Sequence, residues 1–75
     1  MKQEILTLLQ EILPTIDFTS SESLVDDGIL DSLSLMTMIS ELSVEYDITI
    51  PYGEISPENF NSLNGITMLV ERLKK

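Results

Sequence analysis

Asp31-Ser32-Leu33-Ser34-Leu35-Met36-Thr37-Met38-Ile39-Ser40-Glu41-Leu42-Ser43-Val44-Glu45-Tyr46 is the stretch in which the helical pattern of this chain is most complete. Its apolar residues recur at steps of three and four, the spacing of one face of an α-helix. Asp31 and Ser32 are of the types that accept hydrogen bonds from the free N–H groups of a helix start. A helix is therefore predicted from about Asp31 to Tyr46, with one apolar stripe toward the core. The stripe consists of Leu35, Met38, Ile39, Leu42 and Tyr46.

Two more amphipathic helices flank this one along the chain. The first is predicted from Gln3 to Leu13, because Pro14 cannot donate to the helical ladder and disfavours helical geometry at the residue before it. Its apolar residues are Ile5, Leu8, Leu9, Ile12 and Leu13. The last helix is predicted to open at Ser62, and the basic residues near its end suit the negative end of a helix. Its apolar residues are Ile66, Leu69, Val70 and Leu73, and its basic residues are Arg72, Lys74 and Lys75.

The segments between these helices predict a long loop, a connector and one short helix. Residues 14–30 lack sustained periodicity and contain turn-forming residues, which predicts the loop. Its candidate anchors in the core are Ile16, Phe18, Leu24, Val25, Ile29 and Leu30. Residues 47–51 are predicted to be an extended connector, because Pro51 blocks a longer strand. Ser56 and Pro57 indicate the start of a short helix that carries Phe60.

These elements predict an all-α fold, a small four-helix bundle of three main helices and one short helix. A bundle is the architecture that buries the three apolar stripes together. Seventy-five residues are too few for two cores, so residues 1–75 are predicted to form a single domain.

Composition excludes several classes of function. Thirteen acidic residues against four basic ones give a formal net charge of -9, which argues against binding nucleic acid or anionic membranes. The charge favours basic partner proteins, or it serves solubility alone, which is the commoner role of an acidic composition. Without cysteine or histidine the chain has no disulfide, no zinc cluster and no Ser-His triad. The acidic residues around Gly28 do not follow the order of an EF-hand. The sequence therefore predicts neither an enzyme nor a metal site.

The expected location and oligomeric state follow from signals that the sequence lacks. No signal-peptide pattern follows Met1, and no apolar run approaches the roughly 20 residues of a membrane span. A cytoplasmic protein without membrane insertion is therefore expected. The sequence carries no signal for self-association, so a monomer is expected.

Ser32 admits three interpretations. The commonest role of a serine at a helix start is the N-cap. Acidic neighbours also fit a phosphorylation site, since a phosphate at a helix N-terminus is stabilised by the helix dipole. The same electrostatic argument favours the third interpretation, covalent attachment of a prosthetic arm through a phosphodiester.

Three consecutive segments resemble the corresponding segments of acyl carrier and peptidyl carrier proteins. They are Gly28-Ile29-Leu30-Asp31-Ser32-Leu33, the helix that follows, and Asp47-Ile48-Thr49-Ile50-Pro51. The resemblance covers nearly the whole chain, from the leading helix to the closing helix. It implies that Ser32 carries 4'-phosphopantetheine taken from coenzyme A, with Asp31 completing the attachment motif. The arm would supply the thiol that the chain lacks, and the cargo would be held as a thioester. The implied partners are a phosphopantetheinyl transferase, a cargo-loading ligase or acyltransferase, and downstream enzymes.

A second face of the 31–46 helix is the predicted partner-binding surface. A partly apolar face beside the attachment point suits docking, and methionine adapts to more than one partner. The resemblance assigns Leu33 and Met36 as contact residues. The alternative is that this face packs against the long loop, which is as plausible as docking for Leu33 and less so for Met36. The predicted partner-binding residues are Leu33, Met36, Glu41 and Val44, with Ser40 on the same face.

The choice of pathway depends on the polar residues of this helix. After Asp31 at its start, Glu41 and Glu45 are its only acidic residues, whereas fatty-acid carriers are usually rich in them. The spacing from Gly28 to Ser32 is closer to D-alanyl carrier proteins of teichoic-acid modification and to stand-alone aminoacyl or peptidyl carriers. A carrier for a dedicated biosynthetic pathway therefore ranks above a carrier for fatty-acid synthesis. An acidic interaction module without a prosthetic group is the other alternative.

The sequence leaves the cargo open. In the carrier family a hydrophobic acyl chain would lie between the second and third helices, whereas an aminoacyl group requires no cavity. The residues toward which an acyl chain would point are otherwise plain core residues. They are Ile39, Phe60 and Ile66.

Overall fold

The computed structural model describes residues 1–74, which form four α-helices and no strand. The helices are α1 (Lys2–Ile12), α2 (Ser32–Tyr46), α3 (Pro57–Phe60) and α4 (Leu63–Leu73), with a 3-10 turn at Tyr52–Glu54. The predicted all-α bundle of three main helices and one short helix is confirmed, as is the long loop between the first two. Lys75, which the sequence assigned to the basic end of the last helix, lies outside the described residues. None of the helices in residues 1–74 has the length and apolar composition of a membrane span.

The helix boundaries follow the local chemistry of the chain. α1 ends one residue earlier than predicted, because Leu13 before Pro14 has left helical geometry, with φ -132° and ψ 68°. α2 ends at Tyr46, and its C-cap Asp47 adopts the left-handed conformation with φ 52° and donates its N–H to the Ser43 carbonyl. Aspartate is one of the few residues other than glycine that this conformation accepts.

The core lies where the apolar stripes of the three main helices meet. α1 packs against both α2 and α4, and α3 packs against α4. On α2 the stripe predicted from the sequence is confirmed, since Met38 and Leu42 are fully buried and the other members pack against the core edge. The buried core comprises Ile5, Leu9, Phe18, Leu24, Leu30, Met38, Leu42, Ile50, Phe60, Leu63, Ile66, Leu69 and Val70.

The junction between α3 and α4 is tight. Ser62 caps α4 by accepting a hydrogen bond from the Gly65 N–H at 3.0 Å. A Cβ atom at Gly65 would lie 3.0 Å from the Asn59 carbonyl oxygen, so alanine there would require the α3 backbone to move slightly away from the first turn of α4. Glu54 closes the junction from the other side, since it accepts hydrogen bonds from Asn59 and pairs with Arg72 at 3.0 Å.

The long loop between α1 and α2 is pinned to the core. Phe18, Leu24 and Leu30 are buried, as the sequence predicted. Ile29 is 37% exposed, so its predicted role as an anchor is wrong. Its neighbour Leu30 takes the inward position after the turn at Gly28, and this directs residue 29 toward solvent. The loop thus reaches the start of α2 with its last apolar side chain fixed in the core.

Candidate functional site

The start of α2 is capped by Asp31. Its carboxylate Oδ1 accepts a hydrogen bond from the Ser34 N–H at 2.8 Å, and its backbone is extended. Ser32 is the first residue of the helix itself. The interpretation of Ser32 as the N-cap is therefore wrong, because the aspartate one residue earlier makes the cap hydrogen bond. Ser32 is exposed, so its hydroxyl lies at the protein surface on the first turn of the helix.

The electrostatics of this turn suit a bound phosphate group. Free N–H groups at a helix start give it a partial positive charge, which favours a phosphate ester attached there. The pKa of Asp31 is lowered from its ordinary value of 3.8 mainly by the hydrogen bond from the Ser34 N–H. Asp31 is therefore ionised near neutral pH and fixes the backbone on either side of Ser32.

Removing the cap carboxylate should make the helix start less stable in a pH-dependent way. Because its pKa is lowered on folding, Asp31 stabilises the fold above the unfolded value of 3.8, and this contribution is lost as pH falls through the lower folded value. We expect Asp31→Ala to melt at a lower temperature than wild type at pH 7, and the gap to narrow below pH of about 4. Thermal unfolding followed by helical circular dichroism measures both melting temperatures.

Asp31→Asn is the matched control for this prediction. Asparagine also accepts the Ser34 hydrogen bond but does not titrate, so its melting temperature at pH 7 should lie above that of Asp31→Ala. A gap between wild type and Asp31→Ala that stays constant from pH 7 to pH 3 would contradict the assigned role of the carboxylate.

The chain before the cap is a closed turn of the long loop. The Leu30 N–H donates to the Leu24 carbonyl at 2.8 Å, and the Gly28 N–H donates to the Val25 carbonyl at 3.0 Å. Gly28 has φ 76°, a left-handed conformation that strains residues with a Cβ atom. The turn at residues 24–30 therefore leads directly into Asp31 and Ser32 and depends on glycine at its tip.

Alanine at this glycine should destabilise the fold. A Cβ atom at Gly28 would meet nothing within 4 Å, so the cost is the backbone strain alone, about 1 kcal/mol. Gly53 is the matched control, because its surroundings are equally open and its φ is not in the left-handed region. Urea unfolding should show a loss for Gly28→Ala and little change for Gly53→Ala. Equal unfolding midpoints would contradict the role given to Gly28.

Asn61 holds this turn from across the molecule. Its Oδ1 accepts hydrogen bonds from the Val25 N–H at 2.8 Å and the Asp26 N–H at 3.0 Å, and its Nδ2 donates to the Asp26 carboxylate at 3.0 Å. The Asn61 carbonyl also accepts the Leu24 N–H at 2.8 Å. No local pattern in the sequence indicates this role for Asn61, because the two segments are about 35 positions apart along the chain.

One face of α2 next to Ser32 is exposed and partly apolar. Leu33 is 77% exposed, Met36 62% and Val44 82%, and Glu41 is exposed beside them. The alternative in which Leu33 packs against the long loop is therefore wrong. We call Leu33, Met36, Glu41 and Val44 the α2 surface. Its members lie within reach of a protein that approaches Ser32.

The region proposed for a hydrophobic cargo is filled by side chains. Phe60 and Ile66 are fully buried in the core, and Ile39 packs against it. An open groove of about 550 Å³ lies elsewhere, between the starts of α1 and α4 and the long loop, with Leu6, Phe18 and Leu63 in its wall. Within residues 1–74 no group of three or more acidic side chains is arranged to hold a metal ion.

Comparisons of the chain with a family model and with individual known proteins agree with each other. Residues 3–73 match the family model described as phosphopantetheine attachment site. The D-alanyl carrier protein of Streptococcus mutans is 31% identical over 75 residues, which cover 99% of this chain and 95% of that protein. The D-alanyl carrier protein of Lactococcus lactis is 32% identical over 76 residues, with coverage of 99% and 96%. No solved structure matches the chain significantly.

Proposed function

The chain belongs to the phosphopantetheine attachment family of carrier proteins, and on that premise we propose that Ser32 is the residue that bears the 4'-phosphopantetheine arm. Members of this family are carriers without catalytic activity, and they work with loading ligases and transferases. The arm supplies a thiol that holds an acyl or aminoacyl group as a thioester, and this chain has no cysteine of its own.

The position of Ser32 is the observation that carries the proposal. Its exposed hydroxyl lies on the first turn of α2, where Asp31 has already satisfied the cap and the helix N-terminus favours a phosphate ester. Attachment forms a bond between Ser32 Oγ and the phosphorus next to pantetheine in coenzyme A. The bond from that phosphorus to the bridging oxygen breaks, and the adenosine bisphosphate half leaves as the hydroxyl loses its proton.

We assign docking of partner enzymes to the α2 surface. Its apolar members bury well against a complementary patch, while Glu41 and the net charge of -9 favour partners with basic groups around that patch. The partners are a phosphopantetheinyl transferase, a cargo-loading ligase or acyltransferase, and downstream enzymes. Charge repulsion between copies supports a monomer, and the need for coenzyme A supports a cytoplasmic location.

The cargo we propose is an aminoacyl group, with D-alanyl first, and the pathway is a dedicated one. The relatives at 31% and 32% identity are D-alanyl carrier proteins. The packing of Phe60 and Ile66 in the core also favours a small polar cargo that stays outside the bundle. A long acyl chain would have to displace these side chains, which costs the favourable contacts of a filled core.

Loading assays test this cargo directly. The arm-bearing chain is incubated with ATP, D-alanine and a D-alanine-activating ligase, and in parallel with octanoate and a fatty-acid-activating ligase. We expect a mass gain of one alanyl group that is removed by hydroxylamine, as a thioester is, and little gain with octanoate. Efficient octanoyl loading with no alanyl loading would contradict the aminoacyl assignment and favour a carrier for fatty-acid synthesis.

A further inference from the structure

The contacts of Asn61 place a polar clamp on the turn that precedes Ser32. Asn61 follows α3 directly, and its carboxamide makes three hydrogen bonds to Val25 and Asp26. Both functions of the amide are used, since the oxygen accepts two backbone N–H groups and the nitrogen donates to a carboxylate. A serine or a small apolar residue at this position could not reproduce that set.

The turn held by the clamp directly precedes the proposed attachment site in the chain. The turn at residues 24–30 is closed by the hydrogen bond from Leu30 to Leu24, and Leu30 is 3% exposed. Asp31 and Ser32 follow Leu30 without an intervening residue. The conformation of the turn therefore sets the direction from which the chain enters Asp31 and Ser32.

The side chain of Asn61 contributes order to this turn rather than to the core. The Leu24 N–H is bound by the Asn61 backbone carbonyl, which remains in any substitution, and Leu24 and Leu30 keep their buried positions. Without the carboxamide, the Val25 and Asp26 N–H groups would turn to water and the segment between the two leucines would gain conformational freedom. A partner that recognises this segment would then have to order it on binding.

We propose that Asn61 is a positioning residue for the modification of Ser32, and that it holds the 24–30 turn in the shape that the phosphopantetheinyl transferase binds. This inference rests on the proposed attachment at Ser32. Preorganisation of a binding surface lowers the free-energy cost of association, so loss of the clamp raises the KM for the carrier. Once the complex is formed the turn is ordered again, and kcat stays close to the wild-type value.

The test compares steady-state modification of wild type and Asn61→Ala by a broad-specificity transferase with coenzyme A. We expect the KM for Asn61→Ala to rise by about tenfold with kcat changed by less than about twofold. Asn64→Ala, an exposed asparagine on α4, is the control and should keep both constants. Hydrogen exchange should speed up at the Val25 and Asp26 amides in Asn61→Ala, and helical circular dichroism should stay unchanged.

A charge swap separates positioning from general damage to the fold. Asn61→Asp keeps the accepting oxygen but sets two carboxylates against each other, so its KM should rise at least as much as that of Asn61→Ala. The double variant Asn61→Asp with Asp26→Asn exchanges donor and acceptor, and we expect it to recover most of the wild-type KM. If the wild type is modified and Asn61→Ala has the same KM, the positioning role alone is overturned. A raised KM in Asn61→Ala that the double variant does not restore would also overturn it. No modification of the wild type itself would overturn the attachment at Ser32 instead.

Discussion

Ser32→Ala is expected to abolish attachment of the arm and all loading of cargo while the fold is retained. The hydroxyl oxygen is the only atom of this side chain able to form the phosphodiester, so the loss of attachment should be complete rather than partial. The fold should persist because Asp31 caps α2 and Ser32 is exposed. The measurement is transfer of a fluorescent pantetheine group from labelled coenzyme A, followed on a gel, with the helical circular dichroism of each variant recorded alongside.

Ser20→Ala is the matched control, because Ser20 is also an exposed serine but lies in the long loop, outside the α2 surface. It should accept the label as wild type does. The same pair tests the alternative of an acidic interaction module without a prosthetic group. In that case Ser32→Ala would keep the function of the wild type, and the wild type would take up no label. Labelling of Ser32→Ala at the wild-type level would contradict the assignment of this residue.

Phe60→Ala is expected to lower the free energy of unfolding by about 3–5 kcal/mol. Phe60 is fully buried, and it is the buried side chain of the four-residue helix α3. A helix this short gains little from its own hydrogen bonds and is held in place by its packing. Small domains have total stabilities near the lower end of about 5–15 kcal/mol, so this loss removes a large part of the stability and should lower the urea midpoint strongly.

Urea unfolding followed by helical circular dichroism measures this loss. Tyr52→Ala is the control, because Tyr52 is also aromatic but is 90% exposed, and its effect should stay within about 0.5 kcal/mol. Similar unfolding midpoints for Phe60→Ala and wild type would mean that α3 is not anchored through Phe60. The neighbouring Asn61, which follows α3 directly, would then not be held in place by the anchoring of that helix.

The helices could be predicted from the sequence because their signals are local. The apolar spacing of the main helices, the proline after Leu13 and the Ser56-Pro57 pair each act within a few residues, and the structure follows them to within about one position. The left-handed conformation of Asp47 and the exposed position of Ile29 could not be predicted in the same way. Both depend on the direction in which the chain must leave one element to reach the next, which only the packed bundle defines.

The candidate site was predictable in part. The position of Ser32 at a helix start followed from the sequence, but the choice of N-cap between two adjacent capping residues did not. Asp31 makes the cap because its carboxylate reaches the Ser34 N–H while its own backbone remains extended. The role of Asn61 could not be predicted, because its partners in the 24–30 turn are distant in sequence and a side-chain hydrogen bond to a distant backbone leaves no pattern in the residues around it.

The most direct test of the central claim is mass spectrometry of the wild-type chain after incubation with coenzyme A and a broad-specificity phosphopantetheinyl transferase. The starting material is first shown by its intact mass to lack the arm. We expect the intact mass to rise by one phosphopantetheine, and fragmentation of the peptide that contains residues 28–36 to place the addition on Ser32. A folded chain that gains no mass, or that carries the addition on another residue, would contradict the account of Ser32 as the attachment site.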